Sequence, residues 1–173
     1  PLHEAILRSD LCSWRGGWLL LALVGLLVYE GGVALRMWQM RDQNPLPTAF
    51  RAERRTEQPG RRIVHQWVPY RRIAPALKRA VIAGEDTKFV EHDGFDWDGI
   101  ATALERNLRA GRIVAGGSTI SQQLAKNLFL SGKRTFIRKA QEAVLTMMLE
   151  AMLSKRRILE IYLNVIEWGR GVF

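Results

Sequence analysis

Gly116-Gly117-Ser118-Thr119-Ile120-Ser121-Gln122-Gln123-Leu124-Ala125-Lys126-Asn127 carries a helix start in its own residue order. Two glycines allow a turn, and Thr119 with Gln122 three residues on makes a capping-box pattern. Leu124 and Leu128 then continue one apolar face at helical spacing. Outward from this stretch, everything after Arg72 reads as helix. Pro75 opens a helix carrying Leu77, Ala80 and Val81 that ends near Gly84. Asp96 caps a second helix, with Ile100, Leu104 and Leu108 on one face and Gly111 at its stop. A long helix is expected from about Thr135 to Leu153. Its stripe is Phe136, Ala140, Ala143, Met147 and Glu150, widened by Val144 and Met148. Ser154 caps the last helix, whose apolar side is Ile158, Tyr162, Leu163 and Ile166 and whose end is Gly169. Val64 to Val68 is the one short strand candidate. The fold class is therefore mainly α.

Upstream the composition changes. Residues 41–62 are polar and contain Pro45, Pro47, Pro59 and Gly60, so 41–72 reads as a linker and membrane-proximal arm. Before it, Gly16 to Leu35 holds one charge, Glu30, and Trp18 to Tyr29 is uninterrupted. About twenty apolar residues at ~1.5 Å each cross a bilayer core. Trp18, Tyr29 and Trp38 stand where interfacial rings are favoured. A cleaved signal peptide and a buried soluble helix are the competing readings, but no small-x-small cleavage site follows. The organisation is then an N-terminal segment over 1–40 with an anchor at about 16–35, the arm, and a domain over 73–173. Arg8 and Arg15 precede the anchor, whereas Arg36, Arg41, Arg51, Arg54 and Arg55 follow it. The bare charge count would place the downstream part inside.

With 47% hydrophobic and 25% charged residues, the 173-residue chain has material for a packed core, and its composition argues against wholesale disorder. The net charge of +9 suits an anionic partner: nucleic acid, anionic lipid or a phosphorylated substrate. Its distribution is more telling. From Arg106 to Gln141 there are eight Lys or Arg residues (Arg106, Arg109, Arg112, Lys126, Lys133, Arg134, Arg138 and Lys139) and no Asp or Glu. Apolar residues at helical spacing punctuate this run, so it is not a disordered basic tail. One cysteine, Cys12, excludes an internal disulfide, and with His3, His65 and His92 scattered there is no Cys/His metal cluster.

The acidic residues are few enough to weigh singly. Glu85 and Asp86 follow the first helix of the domain, where a side chain can face a cleft or simply be solvated. Phe89 and His92 come soon after, and Gly94 permits a tight turn. Glu142 interrupts the acid-free run, with Arg138 one helical turn before it as an ordinary salt-bridge partner. Glu160 has Arg156 at the same spacing. The glycines and Ser118 and Thr119 precede a helix whose unpaired donors can receive a phosphate oxygen, or the glycine-rich start serves the structure alone. Lys126 lies two turns further on. Gln122, Gln123 and Asn127 can hydrogen-bond sugar hydroxyls or amides, or face water.

Four blocks, in order and at compatible spacing, resemble the peptidoglycan glycosyltransferases, in particular their monofunctional branch. They are Glu85-Asp86-Thr87-Lys88-Phe89-Val90-Glu91-His92-Asp93-Gly94, then Gly117 to Asn127, then Arg138-Lys139-Ala140-Gln141-Glu142, and finally Lys155 to Asn164. The likeness covers about Ile73 to Phe173. It implies a lysozyme-like, two-lobed helical domain acting on lipid II, a disaccharide-pentapeptide carried on a polyprenyl pyrophosphate, together with the growing glycan strand. By likeness Glu85 matches the catalytic glutamate and Glu142 a second essential one. Lys126, Arg134, Arg138 and Lys139, with Ser118, Thr119, Gln122, Gln123 and Asn127, are the candidate substrate and pyrophosphate contacts. Asp86, Phe89, His92, Gly94, Lys155, Glu160, Tyr162 and Asn164 are candidate supports. A divalent cation, Mg²⁺ or Mn²⁺, is a candidate assistant, without a dedicated carboxylate cage in the sequence. The bilayer is a second partner, other cell-wall synthesis proteins are candidates, and nucleic acid is not expected.

The resemblance also implies a place in the bacterial cytoplasmic (inner) membrane, crossed once, with the domain on the outer, periplasmic face, against the charge count. Two departures stand out. Ser121 occupies a position where the family often has Thr, and the family's domain normally runs on past Phe173, so the chain reads as truncated there. The rivals are a muramidase-like hydrolase, which has little use for an acid-free basic groove, and a membrane-anchored scaffold without catalysis.

Overall fold

The computed structural model describes residues 2–45, 48, 49, 52, 55, 56, 65–130 and 135–168, with residues 2–16 described through their backbone only. Two compact units make up the chain, Pro1–Gln39 and Met40–Phe173. The first is one helix, α1, Leu2–Gln39. Its Gly17–Gln39 portion has a mean hydropathy of 2.0 and is almost entirely unburied. Those 23 residues extend roughly 35 Å, enough for a bilayer core. Leu19 to Leu21, Leu26 to Val28 and Trp18 all present their apolar surface outward. Water disfavours such a surface and lipid does not.

The second unit is helical, and no strand occurs among its described residues. A 3₁₀ turn, Tyr70–Arg72, leads into α2 (Pro75–Glu85), α3 (Trp97–Ala110), α4 (Ile120–Phe129), α5 (Phe136–Met152) and α6 (Lys155–Val165). The caps come from the residues whose chemistry calls for them. Asp96 accepts the Gly99 N–H, Thr135 that of Arg138 and Ser154 that of Arg157, while Gly111 closes α3 at φ 62°. Thr119 and Gln122 complete a full capping box on α4.

Helix α4 is the centre of the unit and packs against both α5 and α6. Ile120, Leu124, Ala125, Leu145, Leu149, Ile158, Ile161 and Val165 are wholly buried there, with Phe89 closing one end. Burial of this kind supplies roughly 1.5–3 kcal/mol per large apolar side chain.

Two expectations are corrected. Residues 65–68 form no strand, and Val64 lies outside the described residues. Val68 instead satisfies its main chain on one side chain: Asn164 accepts from its N–H at 2.7 Å and donates to its carbonyl at 3.0 Å. On α5 the stripe runs differently. Phe136 is 97% exposed and Met147 and Val144 are exposed, while Glu142, Leu145, Thr146 and Leu149 face the core. Leu104 and Leu108 of α3 share a face, as expected, and that face is exposed. The end of the last helix at Gly169 lies outside the described residues, and α6 terminates at Val165.

The residues leading into this unit are tied down by two arginines. Arg157 donates to the carbonyls of Met40 (2.7 Å) and Gln43 (2.8 Å) and to Asn44 (3.0 Å), and Arg41 donates to the Met152 carbonyl at 2.8 Å. Four main-chain and side-chain acceptors are thereby satisfied next to the helix termini.

Candidate active site

Glu85 is the last residue of α2, and its side chain is exposed. It stands on a cavity of about 310 Å³ lined also by Asp86, Thr87, Arg106, Gly116, Gly117 and Ser118. Among the described residues Glu85 makes no ion pair. Its partner is the side-chain amide of Gln123, which donates to its Oε2 at 2.9 Å. The Gln123 amide oxygen in turn accepts the Tyr162 hydroxyl at 3.0 Å. Burial, reinforced by the negative charges of Glu85 and Asp86, raises the Tyr162 phenol far above its ordinary value of 10.0.

Asp86 is not a solvated neighbour of Glu85; it is buried. Its carboxylate accepts from His92 Nε2 at 2.9 Å and from the Ile120 main-chain N–H at 3.0 Å. His92 Nδ1 accepts the Gly94 N–H at 3.1 Å, which leaves Nε2 as the nitrogen that donates to Asp86. The loop between α2 and α3 is thus sewn to the start of α4. Thr119 adds another stitch by donating to the Gly94 carbonyl at 2.7 Å.

At the α4 N-terminus three main-chain donors are taken within the chain. The Ile120 donor is taken by Asp86, the Gln122 donor by Thr119, and the Thr119 donor by Gln122. An anion does sit at this helix start, but it belongs to the chain. Gln122 is correspondingly buried and Thr119 likewise, while Ser118 is exposed.

A second polar cluster lies under the same loop. Glu150 accepts from Ser121 at 2.5 Å and from Lys155 at 2.8 Å. Lys155 also donates to the His92 carbonyl and rests 4.8 Å from the Phe89 ring centre. Glu160 pairs with Arg157 at 2.9 Å rather than with Arg156, and accepts the Tyr70 N–H at 3.0 Å. An i, i+3 partner was available on the inner face, whereas Arg156 turns to the Tyr70 ring, 4.8 Å from its centre.

The basic candidates gather on α4 and α5. Lys126 is exposed one helical turn beyond Gln123, and Asn127 is half-buried. Glu142 is only 4% exposed. It accepts from Lys139 and faces Arg138 at 3.6 Å. Among the described residues, the Arg138 nitrogens Nε and Nη1 are buried without a hydrogen-bond partner. None of these residues lines the Glu85 cavity. Arg134 lies outside the described residues. No three His, Cys, Asp or Glu side chains form a metal-holding group among the described residues.

Two contributors escaped the reading of the sequence. Arg106 lines both the Glu85 cavity and an adjoining one of about 310 Å³ with Lys88, Asp98 and Thr102. Asn107 accepts from the N–H groups of Val114 (2.7 Å) and Ala115 (2.9 Å) and donates to the Ala115 carbonyl (2.9 Å). It shapes the run into Gly116 and Gly117. No local pattern in the sequence marks it.

A family model described as transglycosylase matches residues 52–173, so the chain is an enzyme of glycosyl transfer. Biosynthetic peptidoglycan transglycosylases from Methylobacillus flagellatus, Azoarcus sp. BH72 and Laribacter hongkongensis are 58%, 54% and 56% identical to it. Those matches cover 92%, 95% and 92% of this chain and 71%, 73% and 71% of the respective relatives. The chain belongs to the biosynthetic peptidoglycan transglycosylase family. Its helical domain is of the lysozyme-like kind, and α1 anchors it in the inner membrane with that domain on the periplasmic face.

Proposed function

We propose that this enzyme polymerises lipid II into β-1,4-linked glycan, with Glu85 as general base. The growing strand is the donor and a fresh lipid II the acceptor. Glu85 takes the proton from the acceptor sugar's 4-hydroxyl. The freed oxygen attacks the donor's anomeric carbon as the bond to the pyrophosphate oxygen breaks, with inversion. The products are a lengthened strand, polyprenyl pyrophosphate and a protonated Glu85 that returns its proton to water. The activated bond supplies the driving force.

The observation that carries this reading is the state of Glu85. It is an exposed carboxylate on a cavity, oriented by one neutral donor and neutralised by no cation among the described residues. A base needs this combination of aim and availability. The departing diphosphate needs the opposite environment, and α5 supports that role. Arg138 and Lys139 occupy its first turn with no acid among the first-turn residues, where the helix dipole disfavours cations. An anion binding there resolves the conflict and meets the unpartnered Arg138 donors. Lys126 joins them from α4. Buried Glu142 then serves as the counter-charge that aims Arg138 and Lys139. Ser118 and Arg106 border the cavity as contacts for the sugar-bearing part of the substrate.

The test is incubation of the full-length protein with lipid II, in native form and as Glu85→Gln. Polymer from the first and a loss of about a hundredfold or more in the second is expected. Equal polymer from both removes Glu85 from the mechanism.

A further inference from the structure

The geometry points to Tyr162 as a positioning residue for Glu85 that acts through Gln123, an inference that rests on Glu85 being the base. Three separate helices meet in this chain of side chains: Tyr162 on α6, Gln123 on α4 and Glu85 at the end of α2. The two links measure 3.0 Å and 2.9 Å.

The order of donors along it is forced. An ionised carboxylate only accepts, so the Gln123 NH₂ group must face Glu85. The amide carbonyl then faces Tyr162 and requires a donor there. The phenol supplies one, and it stays protonated because its burial and the nearby carboxylates oppose its ionisation. With the hydroxyl present, only one orientation of the Gln123 amide satisfies both ends. Without it, the carbonyl has no donor at that end, and the amide is free to turn its oxygen toward Glu85, which repels the base from its station.

What makes this matter is the exposure of Glu85 itself. A solvent-facing glutamate has several rotamers, and fixing one costs conformational entropy. The base must meet a sugar hydroxyl at hydrogen-bond distance, and misplacement by an ångström is costly. The Tyr162 ring, by contrast, is only 2% exposed and lies among core side chains. Its position is set by packing, so it provides a fixed reference that Gln123 relays to the mobile carboxylate.

The experiment is a double-mutant cycle on the full chain with lipid II as substrate, each variant checked for wild-type circular dichroism. Tyr162→Phe removes one oxygen and keeps the ring. Its kcat should fall roughly tenfold, the loss expected of one hydrogen bond to an aimed group, with KM within about twofold of the native value, since the hydroxyl makes no substrate contact. Gln123→Met cuts the middle link and leaves Tyr162 in place; its kcat should fall at least as far. In the Gln123→Met background, Tyr162→Phe should have no further effect.

The proposal is overturned if Tyr162→Phe keeps native kcat, if Gln123→Met does, or if the two losses multiply in full. If Tyr162→Phe does not fold, Gln123→Leu decides together with Gln123→Met: native kcat in either overturns the relay, and Gln123→Glu, whose carboxylate can still accept from Tyr162 but cannot donate to Glu85, should lose at least as much as Gln123→Met. A fully active Glu85→Gln protein would instead overturn the assignment of the base, which separates that failure from failure of the relay.

Discussion

Asp86 Oδ2 accepts the main-chain N–H of Ile120 at 3.0 Å, so the carboxylate beside the proposed base closes the first turn of α4. The same carboxylate holds His92. One side chain thereby joins the end of α2, the turn at Gly94 and the start of the central helix. The neighbouring carboxylates have opposite duties: Glu85 faces the cavity, and Asp86 holds the wall that Glu85 stands on.

Asp86→Ala should therefore cost stability as well as activity. It leaves the Ile120 donor and the His92 Nε2 donor unsatisfied in a buried place and removes the anion from a helix N-terminus. The expected loss is about 3 kcal/mol in chemical denaturation. Asp86→Asn, which keeps one acceptor oxygen, should lose less. A native denaturation midpoint for Asp86→Ala would contradict this account of the residue.

Gly94 holds a conformation that side chains rarely adopt, with φ +96°. A Cβ built there would lie 2.8 Å from Thr146 Cγ2 and 3.1 Å from Glu150 Cγ. Both neighbours are on α5, and Thr146 is fully buried. Gly94→Ala thus combines backbone strain with overpacking and should destabilise by about 2–4 kcal/mol. Combining it with Thr146→Ser, which deletes the clashing methyl, should recover part of the loss in melting temperature but not the strain. No recovery would mean that the clash is relieved elsewhere.

The difference between what was legible and what was not follows from the range of the forces. Asp96, Thr119 with Gln122, Ser154 and Gly111 mark helix ends because a cap acts within three residues. The helical fold and the apolar anchor were readable for the same reason. Periodicity says which residues share a face but not which face meets a neighbour. On α5 it grouped Phe136 with Met147, yet the core side carries Glu142 and Thr146. Polar residues that share the inward face with Leu145 and Leu149 are invisible to a pattern that assumes only apolar side chains point in. For Asp86 the local pattern left a cleft-facing and a solvated position equally open. Its burial depends on Ile120, 34 residues away, and no local rule encodes such a contact.

Asn107 should prove to be a loop clamp. Its amide satisfies three main-chain groups of Val114 and Ala115. Asn107→Ala removes them all, whereas Asn107→Asp keeps the two acceptor bonds and sets a carboxylate against the Ala115 carbonyl. Exposed Arg112 lies within the clamped loop and offers a trypsin site. The rate of cleavage after Arg112 should rise in the order native, Asn107→Asp, Asn107→Ala. Equal rates in all three would deny the clamp.

Tyr162 gives the pH dependence whose sign can be worked out. Its phenol is raised in the folded chain, first by burial and then by the charges of Glu85 and Asp86. The unfolded chain releases this proton near the ordinary value of 10.0, while the native chain retains it. Above that pH the native state binds more protons, so stability must fall as pH rises and is fully present below it. Tyr162→Phe removes this contribution. Denaturation midpoints measured from pH 8 to 11 should therefore decline more steeply in the native protein than in the variant, with a difference in slope of up to about one proton. Parallel declines would mean that Tyr162 ionises freely in the folded chain, and a phenol that does so could not serve as the fixed donor to Gln123.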